Sequence, residues 1–360
     1  MGLLNKIFGK NKTEQTPPKG FQIARITNIR SLNGDSVQIT FDSERLSSEY
    51  RKFIPGQYIT LSMQIEGKEY RRSYSICSTT DEGLSIGVKR LPNGKVSTYL
   101  TDTLGLDDTI MISKPEGNFQ LLNNKGNFVL IAAGSGITPI LSMTKTLEKS
   151  GGTATLFYGN RSLNQIMFKE DLEGLTNTKK HYFLSKEQID GYQSGRLDTE
   201  TLKSLFKENL ALLRADGFYI CGPEEMIKGA IDALKFYGVS DDKVHFELFT
   251  EAKLLKKETP GTDSDFEGTS KITLTLDGTS TEFSLNSQGQ SILDAALNIG
   301  LDAPYSCRGG VCSTCRAKVL EGSVKMKNNL ALTDKEIAQG YVLSCQSHPT
   351  SETLRISYDD

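Results

Sequence analysis

Four of the six cysteines fall into one pattern. Cys307, Cys312 and Cys315 form C-x4-C-x2-C within the stretch Pro304-Tyr-Ser-Cys-Arg-Gly-Gly-Val-Cys-Ser-Thr-Cys315, and Cys345 follows after a further 29 residues. This is the plant-type [2Fe-2S] ligand spacing. Three thiolates drawn from one tight loop need backbone N–H groups close to the sulfurs and unusual dihedral angles, which Gly309 and Gly310 can supply. Cys345 would close the site from a distant strand. The alternatives are structural zinc and disulfides. Zinc loops usually come as two C-x2-C-like pairs, whereas here the first gap is four residues and Cys345 stands alone. Disulfides need an oxidising compartment, and the start of the chain does not resemble a secretory signal, so a cytoplasmic location is expected. Arg308, between two ligands, is expected to be exposed, because a cluster that passes electrons outward must approach the surface.

Three further motifs could handle phosphates and flat rings. Arg72-Ser-Tyr74-Ser75-Ile-Cys-Ser78 combines a cation for phosphate, an aromatic ring that can lie against a planar cofactor, and two hydroxyls for its polar edge. Alone, it also fits any strand of mixed residues. Gly94-Lys-Val96-Ser97-Thr98 could open a helix whose free N–H groups face a pyrophosphate, though an ordinary capped helix looks the same. Gly134-Ser-Gly136-Ile-Thr138-Pro139 follows the apolar run Asn127–Ala133 and precedes a helical pattern over 140–149, an order that reads as strand, phosphate loop and helix. Proline in its last place suits a first helical turn, where the missing donor costs nothing. His181, His245 and His348 share no ligand or catalytic spacing.

The elements that must position these groups suggest several domains. At 360 residues, with 37% hydrophobic and 24% charged residues and a net charge of −2, the chain can build two or three cores. It offers no bulk charge for nucleic acid and no apolar run of membrane-spanning length, and it leaves the oligomeric state open. Residues 1–19 read as a flexible tail ending in Pro17-Pro18. Over 20–123 the pattern is of short strands, with Ile23/Arg25/Thr27/Ile29, Val37/Ile39/Phe41 and Tyr58/Thr60/Ser62 each on one strand face, which predicts an antiparallel β-barrel. Strands and helices alternate over 124–250, including 154–158, 199–207, 217–221 and 224–236, which predicts an α/β domain with a parallel sheet. Charged and turn-forming residues over 251–270 read as a linker. Residues 271–360 carry a hairpin around Asp277-Gly278, a short helix over 292–297 and the cysteine loop, an α+β (β-grasp) domain.

The motifs R-x-Y-S-x-x-S, G-x-V-S, G-x-G-x-x-P, C-G-P (Cys221-Gly222-Pro223) and the four cysteines stand in one order. In that order the chain resembles the ferredoxin-reductase family of flavoproteins, in the branch with a plant-type ferredoxin domain fused at the C-terminus, over residues 21–360. The resemblance implies an NAD(P)H-dependent reductase that passes hydride to FAD and single electrons through a [2Fe-2S] cluster to an acceptor protein, an oxygenase component. It implies that Arg72 contacts the flavin pyrophosphate, Tyr74 packs on the isoalloxazine and Ser75 lies beside N5, with Ser78 on the polar edge. Ser97, with Gly94 and Val96, would hold the pyrophosphate. The Gly134, Gly136, Thr138, Pro139 loop and Cys221, Gly222 and Pro223 would bind the nicotinamide cofactor, with Cys221 near C4. Glu247 and Phe249 match the acidic-x-aromatic end of the reductase domain, so Ser75, Cys221 and Glu247 are the catalytic candidates.

The chemistry is consistent with three sites in one chain. Nicotinamide gives up two electrons together, the cluster takes one at a time, and a flavin can do both. NADPH is expected over NADH, because the turn after the second parallel strand, Gly159-Asn-Arg161-Ser162, has no acid to accept a ribose 2′-OH and offers Arg161, with Ser162 beside it, to a 2′-phosphate. Two rival readings share the motifs: a general reductase of ferredoxin- or flavodoxin-type carriers, and a relay subunit that does not oxidise NAD(P)H, for which the Gly134 loop and Cys221-Gly222-Pro223 would have no use. The cysteine pattern carries its own test. Cys312→Ser should lower iron and sulfide content and the EPR signal of the reduced protein, while NAD(P)H-to-dye activity, which needs only the flavin, persists; unchanged iron and sulfide would remove the cluster assignment.

Overall fold

The computed structural model describes residues 17–18, 20–249, 255 and 266–359. The expected tail, apart from Pro17-Pro18, and most of the expected linker lie outside the described residues. Three large sheets follow one another along the chain, with a fourth of two strands beside the last. The first is built from β1 (Phe21–Asn33), β2 (Ser36–Phe41), β3 (Tyr58–Ile65), β4 (Lys68–Ser75), β5 (Ser85–Lys89) and β6 (Thr109–Ser113), in the order β4-β3-β6-β1-β2-β5 with all pairs antiparallel. A bridge between Ile76 and Ile86 joins the two ends and closes the barrel around Ile26, Ile39, Ile59, Leu61 and Ile86.

The face of β1 that carries Ile23 is not the one turned to this core. Ala24 and Ile26 are buried and Ile23 is 46% exposed. A register shift between Ile26 and Asn28 changes the parity of the strand, and Ile29, beyond it, packs back on the core.

The second sheet is wholly parallel: β7 (Asn127–Ala133), β8 (Thr153–Asn160), β9 (Thr178–Leu184), β10 (Gln193–Ser194), β11 (Gly217–Cys221) and β12 (Val244–Glu247) lie in the order β10-β9-β8-β7-β11-β12. Its central strands are continuous apolar runs because helices cover both faces. Leu130 and Ala132 point into one core, Val129 and Ile131 into the other. Strand order reverses at β7, so the crevice between the carboxyl ends of β7 and β11 is where an open α/β sheet binds ligands.

The third sheet runs β14-β13-β19-β15-β17, with β13 (Thr269–Leu276), β14 (Thr279–Asn286), β15 (Arg316–Glu321), β17 (Tyr341–Leu343) and β19 (Thr353–Ser357); β16 (Val324–Met326) and β18 (Ser347–Pro349) form a separate pair. Asp277 and Gly278 have φ of 55° and 73°, as a tight hairpin turn requires. The helix Ile292–Asn298 packs on this sheet through Ile292, Leu293 and Ala296.

At the reversal point two motifs meet backbone to backbone. A Cβ added to Gly136 would lie 2.0 Å from the carbonyl oxygen of Cys221 and 2.9 Å from the nitrogen of Gly222. Neither neighbour is a flexible side chain, so the loop or the strand end must move. Gly136→Ala should therefore cost about 1–3 kcal/mol of stability, read as a lower denaturation midpoint; an unchanged midpoint would mean that the approach is looser than this.

Candidate functional site

Three of the sequence candidates, Ser75, Cys221 and Glu247, come together where the barrel meets the parallel sheet. Ser75 ends β4 and is 4% exposed; its hydroxyl donates to Glu247 Oε2 at 3.4 Å. Glu247 ends β12 and pairs across the parallel ladder with Cys221, which ends β11 and is fully buried. One point thus joins the barrel, the carboxyl edge of the parallel sheet and, through the Gly136 contact, the glycine loop. Burial pushes the Glu247 carboxyl up to about 8, against the opposing effect of the Ser75 hydroxyl. Burial, and then the charge of Glu247, pushes the Cys221 thiol well above its ordinary range. Both groups are thus protonated at neutral pH.

Arg72 is exposed and spends one N–H on the carbonyl of Arg71 at 2.7 Å, leaving the rest of its guanidinium available; Tyr74 is half-buried against the barrel core. The helix Lys95–Thr98 follows Gly94 and buries Val96 and Ser97. The hydroxyl of Ser97 accepts from the N–H of Leu91 and donates to the carbonyl of Gly94, so this side chain holds the turn, and what it can offer a phosphate is its backbone N–H. Ser78 is likewise engaged, donating to Gly83 at 2.6 Å and accepting from the N–H of Ser85 at 3.0 Å.

Gly134, with φ of 54°, turns the chain from β7 into a short helical turn and the helix Ile137–Ser150. The hydroxyl of Thr138 donates to Ser135, and Pro139 is buried in the first turn. Gly222 and Pro223 lead from β11 into the helix Glu224–Phe236. Arg161 follows β8, is exposed, and has no ion-pair partner among the described residues; the Ser162 hydroxyl donates to Asn164. Phe249 is 43% exposed, while Leu248 beside it turns into the core.

The four cluster cysteines are all free thiols and stand as two pairs. The sulfurs of Cys307 and Cys312 are 3.0 Å apart, and Cys315 lies within hydrogen-bonding reach of Cys345. Two thiols on each side suit two irons with two thiolates apiece. Among the described residues no single point gathers three such ligands around one ion. The loop also fits in its backbone. Arg308 and Gly310 take φ of 55° and 74°, the N–H of Gly309 points at the Cys307 sulfur from 3.3 Å, and the donation from Cys312 and from these backbone groups holds the Cys307 thiol below its usual range. Gln346 Nε2 donates to the carbonyl of Arg308, Asn328 Nδ2 to that of Gly309 and Ser344 Oγ to that of Cys315, which fixes the loop from behind.

Several groups at the junction have no motif to announce them. Tyr58 on β3 is 4% exposed, and its hydroxyl oxygen accepts the N–H of Ser313, between two cluster ligands, at 3.2 Å. Glu116 accepts from the hydroxyl of Thr314 at 3.5 Å, and burial pushes its carboxyl up to about 7. Of the doublet Arg71-Arg72, it is Arg71 that is buried, beside Glu69 and Asp302. The doublet is visible in the sequence, but which member turns inward is not. A cavity of about 540 Å³ opens here, lined by Tyr58, Phe119, His245, Glu247, Cys312 and Leu330 among others.

Comparison with known proteins assigns a domain family to each of the three regions. Residues 24–121 match the oxidoreductase FAD-binding domain, 130–232 the oxidoreductase NAD-binding domain and 274–350 the 2Fe-2S iron-sulfur cluster binding domain. The chain is 36% identical over 351 residues to one of the subunits of the 1,2-phenylacetyl-CoA epoxidase of Escherichia coli K12, covering 94% of this chain and 98% of that protein. It is 31% identical to the ferredoxin reductase component of 3-ketosteroid-9-alpha-monooxygenase from Mycolicibacterium smegmatis, covering 94% and 96%. In fold it is similar to phthalate dioxygenase reductase, with a TM-score of 0.59 over 94% of this chain and 98% of that one at 24% identity.

The raised carboxyl makes a pH prediction. Glu247 is held protonated up to about 8 in the fold against an ordinary 4.5, so between these values the native state binds a proton that the unfolded chain has released. Its contribution therefore lowers stability as pH rises through that window, by at most about 1.4 kcal/mol per unit, and levels off above it. Glu247→Gln should remove this slope, leaving the variant more stable than the wild type at pH near 8 relative to pH near 5. Parallel stability–pH curves for the two proteins would count against a protonated Glu247.

Proposed function

Because this chain belongs to the family of reductases that join an FAD-binding, an NAD-binding and a 2Fe-2S domain, and is an NAD(P)H-dependent flavin and iron–sulfur oxidoreductase, we propose that it is the reductase component of an oxygenase system and draws on NADPH. When bound, FAD supplies the step between a two-electron hydride donor and a one-electron cluster. The observation that carries the reading is the meeting of Ser75, Cys221 and Glu247 from two domains at one point, with the cluster loop against the same barrel strands.

The residues divide the work by position. Arg72 and the backbone N–H groups at the start of the helix Lys95–Thr98 bind the flavin pyrophosphate, and Tyr74 covers the ring. The N-terminal turn of the helix Ile137–Ser150 takes the diphosphate of the nicotinamide cofactor. Cys221, small and polarizable, leaves room for a stacked nicotinamide, and Ser75 orients the reacting edge. Glu247 accepts from Ser75 on Oε2, so a proton held by this carboxyl sits on its other oxygen, and the residue lines the adjoining cavity. Cys307, Cys312, Cys315 and Cys345 hold the cluster. Arg308, with its side chain 50% exposed, lies over Tyr305 at 4.5 Å and faces outward, where an oxygenase component would dock. Six free thiols, four of them needed as thiolates, suit a reducing, cytoplasmic setting.

Support for NADPH comes from the exposed Arg161 at the end of the second strand, which has no ion-pair partner among the described residues. The wild type should prefer NADPH in kcat/KM by about tenfold, or ~1.4 kcal/mol, which one charge-assisted contact can supply. Arg161→Ala should lose that preference with little change in NADH turnover. A wild type that prefers NADH, or a variant whose preference persists, would defeat the NADPH assignment.

A further inference from the structure

The hairpin of β3 and β4 carries a polar face that is buried. In its register Tyr58 stands opposite Ser75, Thr60 opposite Ser73 and Ser62 opposite Arg71. Tyr58, Thr60, Ser62, Arg71 and Ser75 are all no more than 4% exposed. A polar surface gives up water at little cost only when polar partners replace it. Within the hairpin, Thr60 meets Ser73 at 3.0 Å and Ser62 donates to Glu69 at 2.7 Å. Further partners come from the cluster-binding domain, at Asp302, Tyr305, Ser306 and Ser313. Arg71 pairs with Asp302 at 2.6 Å and with Glu69 at 2.7 Å, and its guanidinium lies over the rings of Phe21 and Tyr305. Ser73 donates to the hydroxyl of Ser306, the residue before the first cluster ligand, at 2.7 Å. Tyr58 accepts the N–H of Ser313 at 3.2 Å. Because successive residues of a strand point to opposite sides, the face that carries Arg72 and Tyr74 is the reverse of this one.

We propose that this polar face is the seat on which the cluster-binding domain rests to receive electrons, and that Arg71 and Tyr58 are positioning residues for the flavin-to-cluster step. The inference rests on the assignment of Arg72 and Tyr74 to the flavin. Electron tunnelling through protein weakens exponentially with distance, so a loop pinned ahead of its first ligand and between its last two holds the donor–acceptor separation within narrow limits. Each hydride delivers two electrons, which pass to the cluster in two single transfers. No bond to a seat residue forms or breaks in either. The seat engages Ser306 and Ser313 and leaves the Arg308 guanidinium, which shares the Tyr305 ring with Arg71, outside its hydrogen bonds.

The test uses the full-length protein with flavin and cluster in place, as wild type, Asp302→Asn, Asp302→Glu, Tyr58→Phe and Arg71→Ala. Asp302 has 59% of its side chain exposed, and Tyr58→Phe keeps the ring, so these variants should fold even where Arg71→Ala does not. In anaerobic stopped-flow reduction by NADPH, the flavin phase should stay within about twofold of wild type while the cluster phase slows about tenfold or more in Asp302→Asn and Tyr58→Phe. Asp302→Glu should recover most of the rate. Independently of turnover, small-angle scattering should show a larger radius of gyration for Asp302→Asn, and the amide of Ser313 should exchange faster in Tyr58→Phe. Wild-type cluster reduction and unchanged scattering in both variants would overturn the seat, as would a flavin phase slowed as much as the cluster phase. Flavin titration of Arg72→Ala separates the underlying assignment: if that variant keeps its flavin while Asp302→Asn still slows the cluster, the flavin residues are misassigned and the seat stands.

Discussion

The two-residue period of an extended strand is the constraint on which the arrangement depends. β4 is one strand thick, yet Arg72 and Tyr74 point to one side of it while Arg71 and Ser73 reach the cluster-binding domain on the other. A helix could not do this, since its neighbouring positions fan around an axis. A strand places residues that follow one another in sequence on opposite sides of one backbone. A flavin and a cluster held on the two sides of such a strand, as proposed, would be kept close without sharing a side chain.

The parallel sheet adds a second close approach of the same kind. Parallel strands bring their carboxyl ends to one edge, so Cys221 and Glu247 become neighbours because β11 and β12 lie side by side. Gly136 presses against the backbone of Cys221 with no room for a side chain. The site is thus assembled from strand ends and loop backbone, and the side chains that remain are few and small. A planar nicotinamide stacked on a planar flavin would need that economy of space.

Electrostatics then follows from crowding. Glu116 and Glu247 both lie where domains meet, and burial moves their carboxyls up to about 7 and about 8. Burial thus favours the uncharged form of both acids in a place where two fixed negative charges would oppose the arrival of electrons. Arg71 shows the converse: a guanidinium 2% exposed persists because Glu69 and Asp302 compensate it and two rings lie against it.

Much of the architecture was legible in the sequence, because it is written in local spacing. The C-x4-C-x2-C loop, the continuous apolar run of β7 ahead of its glycines, the Asp277-Gly278 turn and the alternation of strand and helix between 127 and 247 all depend on residues a few positions apart. Tertiary packing decided what depends on the covering partner. The bulge in β1 sets which of its faces meets the core. Ser78 and Ser97 carry hydroxyls suited to a cofactor, yet each is held by backbone groups of its own turn. Tyr58, Thr60 and Ser62 read as an ordinary polar strand face, and only the cluster-binding domain, more than 200 residues along the chain, turns that face into an interior. Spacing in sequence specifies which residues share a loop or a strand face; what covers that face, and so whether a polar group there is solvated, paired or held neutral, is decided when distant segments meet.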